Sequence, residues 1–250
     1  MNSTSESGHS MNVANLEEEI SVCTGYGAAY NPSKVNLKLA SLQTLLTSGR
    51  NALQTVKSAK TVFDNATNAR EIAFTPLKKL CTRIINALKA TDATQQLIDD
   101  ALTVNRKVQG KRAKKIVEEV VKADTPESAT EAEHKNISVS QQGFDDLIDH
   151  YTKIIQVVSS EPLYVPNELD LKVTALNTQL TSLRTLNTAV INAHTAYSNA
   201  MLSRNIVLYQ PLTGLVDIGL EVKNYVKSVF GATSPQYKQI SKIKFTKHNL

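Results

Sequence analysis

"VPNELDLKVTALNTQLTSLR" occupies Val165 to Arg184, and a near-copy, "NPSKVNLKLASLQTLLTSGR", occupies Asn31 to Arg50. Setting each residue beside the one 134 positions later gives a gapless match from Tyr30/Tyr164 to Ala73/Val207. Seventeen of its 44 pairs are identical, including Tyr30/Tyr164, Pro32/Pro166, Leu42/Leu176, Arg50/Arg184, Val56/Val190 and Arg70/Arg204. One inserted residue later the match resumes, with "FTPLKKL" from Phe74 beside "YQPLTGL" from Tyr209. An internal repeat governs every later reading of the fold. Two copies are too few for an open solenoid, which needs about three or more to bury its faces. The expectation is therefore one pseudo-symmetric bundle.

Within the repeat, apolar side chains recur every three and four residues. The first copy gives Leu39, Leu42, Leu46, Gly49, Leu53, Val56, Lys60 and Phe63, and the second Val173, Leu176, Leu180, Leu183, Asn187, Val190, His194 and Tyr197. This is the period of a helix with one buried face, close to a coiled-coil heptad. A second stripe of small residues, Ala52, Ala59, Ala66 and Ala73, lies beside the first and is answered by Leu186, Ala193, Ala200 and Val207. Two adjacent stripes make a broad face suited to a bundle rather than a two-stranded coil. Pro32 and Pro166 suit a first helical turn, and Pro76 and Pro211 interrupt the pattern. Each copy thus predicts a helix of about 60 Å at about 1.5 Å per residue. A shorter amphipathic helix then follows, through Leu77, Leu80, Cys81, Ile84, Ile85 and Leu88 in one copy and Leu212, Leu215, Val216, Leu220, Val226 and Val229 in the other.

The fold expected is all-α, an elongated helical bundle of two imperfect copies of a long-helix plus shorter-helix unit. Residues 1–15 read as a disordered tail, 16–121 as the first unit, 122–136 as a polar linker and 137–250 as the second unit. The second unit starts with a helix on which Phe144, Leu147, Ile148, Tyr151, Ile154, Ile155 and Val158 share a face, with Ser138 and Gln141 as a capping box.

Composition narrows the function classes. The chain of 250 residues has 41% hydrophobic and only 5% aromatic residues, with no tryptophan. Such a composition gives an aliphatic core and few rings for a ligand pocket or for stacking on bases. Nine glycines and seven prolines favour long regular elements. No stretch approaches the 18 consecutive apolar residues of a membrane span and no secretory signal opens the chain, so the expected location is cytoplasmic.

No catalytic, cofactor or metal signature is present. Cys23 and Cys81 lack metal spacing, and the five histidines, His9, His134, His150, His194 and His248, are scattered. Glu17, Glu18 and Glu19 read as an acidic helix start, and Asp145, Asp146 and Asp149 as a solvated face. The net charge is +5, and two basic segments stand out. One holds Arg106, Lys107, Lys111, Arg112, Lys114 and Lys115, and the other Lys238, Lys242, Lys244 and Lys247. Both would contact phosphates without base readout. Around the second lie Tyr237, Ile240, Ile243 and Phe245, an apolar set suited to docking on a partner or a neighbouring subunit.

The sequence reading is a non-enzymatic structural or assembly protein that docks on protein partners or on itself, with no cofactor and no small-molecule substrate. The alternative is a nucleic-acid-associated protein using segments 106–115 and 238–247.

Overall fold

The computed structural model describes residues 6–111 and 142–248. The described residues are helical, with no strand. Eight α-helices follow in order: α1 Glu6–Gly25, α2 Leu39–Phe74, α3 Leu77–Lys89, α4 Gln95–Val108, α5 Phe144–Ser160, α6 Val173–Tyr209, α7 Leu215–Phe230 and α8 Pro235–Ile240. No helix among them is long and apolar enough to cross a membrane. The expected linker 122–136, the capping pair Ser138 and Gln141, and Arg112, Lys114 and Lys115 lie outside the described residues.

The two long helices, 36 and 37 residues, are α2 and α6. Both begin seven residues after their proline, Pro32 or Pro166, later than expected. The cause is the same in both places. Val35–Leu37 and Leu169–Leu171 form single 3₁₀ turns, and Lys38 and Lys172 follow in extended conformation. The Tyr30 hydroxyl donates to the Leu37 carbonyl at 2.7 Å, and the Tyr164 hydroxyl donates to the Leu171 carbonyl at 3.1 Å. Both tyrosines are buried. Each carbonyl is thereby satisfied outside a helix, and the first helical bonds are Leu42 N–H to Lys38 O and Leu176 N–H to Lys172 O, both 3.0 Å.

Pro76 and Pro211 end the long helices, but the chain leaves them differently. Pro76 is the residue before α3, and Leu77 enters its core at once. After Pro211 the chain makes a wider turn. Leu212 adopts φ +66 and is exposed, and α7 starts only at Leu215. The turn closes through Gly214, whose N–H donates to Gln210 O at 2.7 Å. A Cβ there would stand 2.6 Å from the Gln210 nitrogen, so only glycine fits. The burial pattern of α3, at Leu77, Leu80, Cys81, Ile84 and Leu88, is answered in α7 by Leu215, Ile218, Gly219, Val222 and Val226. This corrects the sequence match at "FTPLKKL"/"YQPLTGL": the two helices correspond three residues further along. It also removes Leu212 and Val229 from the buried face of α7, since both are exposed.

The compact units are not the two sequence copies. One unit joins the residues up to Asn65 with those from Ile191 onward, and the other is Ala66–Val190. Each therefore takes one part of α2 and one part of α6. Unit 1 packs Leu16, Cys23, Leu42, Leu46, Leu208, Leu215, Val222 and Ile240 into its core. Gly49 keeps a place in the stripe because a Cβ there would meet Leu215 and Val13 at 3.1 and 3.2 Å. Further along, Phe63 stacks nearly parallel on Tyr197, and His194 packs edge-on against Phe63. Unit 2 packs Leu77, Ile84, Leu88, Ala101, Tyr151, Ile154, Leu176 and Leu183. Here Asn187, the polar member of the second stripe, accepts from Arg70 at 3.0 Å and donates to Asp145 at 2.7 Å. The Arg70 guanidinium lies 3.8 Å from the Phe144 ring centre, so a charged side chain within the packing is met by a π face and an amide.

The sequence reading and the helices differ at two further places. Residues 6–15 are helix, not tail, because His9, Asn12 and Val13 continue the buried face of Leu16, Ile20 and Cys23 one and two turns earlier. Helix α4 had no counterpart in the sequence reading; it starts at Thr94, whose hydroxyl accepts the Leu97 N–H, and buries Ile98, Ala101 and Val108.

Tyr30→Phe and Tyr164→Phe each strip a buried carbonyl of its hydrogen-bond donor. Each should lower the unfolding free energy by about 1–2 kcal/mol, read from urea titration of the full chain. A loss indistinguishable from zero in both variants would show that the helix starts are fixed by something else.

Candidate functional site

A set of polar contacts in unit 1 holds residues 241–248 along α1 and α7. After Phe230, Gly231 at φ +87 closes α7, the Ser234 hydroxyl accepts the Tyr237 N–H at 3.1 Å, and Pro235 opens α8. The segment beyond α8 has no regular structure of its own, so its backbone groups are met by side chains. Asn12 donates to Thr246 O and accepts the Thr246 N–H, both at 2.9 Å. Asn15, one turn further along α1, donates to Lys244 O at 2.7 Å. Lys223 of α7 donates to Ile243 O. Lys247 pairs with Asp217 at 2.8 Å.

Beneath this segment sits a buried polar group that the sequence did not single out. Glu19 is fully buried, and neither carboxyl oxygen has a hydrogen-bond partner among the described residues. Burial pushes its carboxyl up to about 9, against the pull of the Lys223 charge. The same burial pushes the Lys223 ammonium down, with Glu19 opposing. Phe245 closes the place from above: a Cβ on Gly219 would stand 2.5 Å from its ring, so the glycine makes room for it. Lys223 Nζ lies 5.1 Å from the same ring centre. Nearer the start of α1, His9 Nδ1 is 2.6 Å from the Tyr209 hydroxyl, which Asn12 also approaches at 3.3 Å. His248 packs its ring 5.2 Å from His9 and 5.0 Å from Tyr209.

This arrangement holds chain to chain. A carboxylic acid kept neutral is the form a proton donor takes, and Glu19 is fully buried, with Phe245 packed on Gly219 beside it. The thiols are equally withdrawn. Burial raises both Cys23 and Cys81 to about 12, which disfavours the thiolate. Among the described residues no group of His, Cys, Asp and Glu is placed to hold a metal ion.

The predicted site residues separate into two sets. Ile240 and Ile243 are buried in the core of unit 1, and Tyr237 and Phe245 are half-buried against it. Of the four residues expected to dock on a partner, Ile240 and Ile243 have their surface covered within unit 1, and Tyr237 and Phe245 keep part of theirs exposed. Of the basic residues, Lys238, Lys242 and Lys244 are exposed in unit 1, while Lys247 is paired. Arg106, Lys107 and Lys111 are exposed in unit 2, with Arg106 bonded to the Thr103 hydroxyl at 2.8 Å. Asp145 and Asp149 are engaged by Asn187 and Lys153. The acidic run divides: Glu17 pairs with Arg50, Glu18 is exposed and Glu19 is buried. Its position follows from α1 beginning at Glu6, which puts Glu19 mid-helix beside Leu16, Ile20 and Cys23 rather than in a first turn.

No family model, curated protein or solved structure matches this chain.

Glu19 gives the fold a pH dependence. Its folded pKa lies above the unfolded value, so the protein holds a proton there that the unfolded chain releases. The Glu19 contribution to stability is therefore fullest below pH 4.5 and is lost as pH rises from 4.5 toward about 9. Glu19→Gln should remove that decline and melt higher than the wild type at pH 8, with a smaller difference at pH 5. Parallel melting curves for the two proteins across this range would contradict the assignment.

Proposed function

We propose that the chain is a non-enzymatic assembly module, made of two copies of one helical unit, that docks on protein partners or on copies of itself. The observation that carries this reading is a row of uncovered apolar side chains on α6. Ile191, Leu202 and Ile206 are 55%, 60% and 55% exposed. At 3.6 residues per turn they fall on one stripe, away from the buried stripe of the same helix. Ile72, the residue that answers Ile206 in the other copy, is 74% exposed. Clustered apolar exposure on a helix that already buries its other face marks an interaction surface. The duplication is supported by the identities between copies and by the tyrosine-to-carbonyl bond that recurs 134 residues apart.

The second reading, nucleic-acid association, has the exposed Lys238, Lys242 and Lys244 in its favour. Against it stand the Lys247–Asp217 pair and the absence of any fully exposed tyrosine or phenylalanine ring among the described residues for stacking on bases.

Absolute mass by light scattering on a sizing column, at low and high salt, separates the two. Assembly through apolar faces predicts a mass that salt does not reduce, and any self-association should be lost in Ile191→Asp/Leu202→Asp/Ile206→Asp. Absorbance at 260 nm that travels with the protein at low salt and leaves at high salt would overturn the assembly reading. The chain lacks tryptophan, so small amounts of nucleic acid would be evident.

A further inference from the structure

The two units hold equivalent places between a short helix and the loop that leads into a long one, and they fill them differently. In unit 1 the place lies between α7 and residues 30–37. The Tyr225 ring stands edge-on to Tyr30, with centroids 5.3 Å apart, and its hydroxyl accepts the Asn31 N–H at 3.1 Å. One turn earlier, Glu221 pairs with Lys34 and ties the helix to the loop.

In unit 2 the frame recurs with its charges exchanged. By the correspondence of α3 with α7, Arg83 answers Glu221, and it pairs with Asp170 of the loop before α6. Tyr164 answers Tyr30 and makes the same bond to its own loop. The residue that answers Tyr225 is Ala87. A cavity of about 490 Å³ stands there, lined by Asn86, Ala87, Ala90, Leu163, Tyr164 and Pro166. Pockets of about 300–1,000 Å³ hold small ligands, and this volume takes a ring together with the backbone that carries it. Leu163 and Val165 at its edge are 53% and 78% exposed, and Arg83, Asn167 and Glu168 make the rest of the lining polar.

We propose that this cavity receives an aromatic side chain of a partner protein, its ring taking the place that Tyr225 takes in unit 1. The proposal rests on the docking reading above and names where one contact is made. The ring has to come from another protein. All eight tyrosines and five phenylalanines of this chain fall within the described residues, and every one is buried or half-buried. The backbone N–H that answers Asn31 is that of Val165, and it donates to Leu163 O at 3.0 Å. The hydroxyl contact of Tyr225 is therefore not reproduced, and the site selects for the ring rather than for its polar end. Edge-on packing against Tyr164 supplies that selection.

The test uses the isotope-labelled full chain and N-acetyl-tyrosinamide, with N-acetyl-alaninamide as the ringless control. The tyrosine probe should shift the amides of Ala87, Ala90, Tyr164 and Val165, saturating in the millimolar range, and the control should not. Ala87→Tyr supplies the ring from within and should weaken probe binding by at least about tenfold. Ala90→Leu is the second variant, because Ala90 is exposed at the end of α3 and a larger side chain narrows the mouth without entering the core; it should weaken binding too. Equal shifts from both probes, no shift at millimolar probe, or binding untouched in both variants would overturn the proposal. Those results would leave assembly through the α6 stripe standing. Conversely, co-migrating nucleic acid would remove the docking reading without abolishing probe binding.

Discussion

A tyrosine hydroxyl held on a carbonyl seven residues later decides where each long helix begins. Tyr30 and Tyr164 are buried and cannot leave their hydroxyls without partners. By taking Leu37 O and Leu171 O they close the loop ahead of each helix and give Lys38 and Lys172 their extended conformation. From that start the positions of Leu42 and Leu176 are fixed, and with them the stripes that the two helices bury. Tyr225 and the Lys34–Glu221 pair are then arranged around the first loop, and the Arg83–Asp170 pair around the second.

Much of this was legible in the residues. Leu42, Leu46, Leu53 and Val56 are buried as their spacing requires, as are Leu176, Leu180, Leu183 and Val190. The polar interruptions Lys60 and His194 are exposed. Gly231, Ser234 and Pro235 act as the stop, cap and start that their types imply. What escaped the sequence has identifiable causes. The late helix starts depend on a hydrogen bond across seven residues, which no periodicity encodes. The shifted correspondence of α7 depends on a backbone turn through Leu212 and Gly214, where the leucine pattern pointed elsewhere. Helix α1 was cut short because His9 and Asn12 are polar, although they occupy the buried face.

The candidate site was the least legible part. A carboxylate run normally lies in water, and nothing local distinguishes Glu19 from Glu17 once the helix start is misplaced. The terminal basic segment looked like a surface for partners, yet Asn12, Asn15 and Lys223 hold its backbone and α1 and α7 cover its isoleucines. Apolar residues beside exposed lysines are a weak guide to docking, because the chain's own helices compete for them first. The uncovered residues on α6 and the hollow above Ala87 became visible only when burial was known residue by residue.

The division of the chain into compact units also has a bearing on biosynthesis. Ala66–Val190 is one uninterrupted stretch, so its core can close as soon as that stretch has left the ribosome. The other unit draws α1 from before Asn65 and its closing groups, Ile240, Ile243 and Thr246, from a point more than two hundred residues later. Until those residues are made, α1 carries Leu16, Ile20 and Cys23 without the partners that cover them. A nascent chain halted before Ile191 should thus resist protease over α3 to α5 and be cut in α1. Helix α1 is thus translated before its partners in unit 1 and completed only when they arrive.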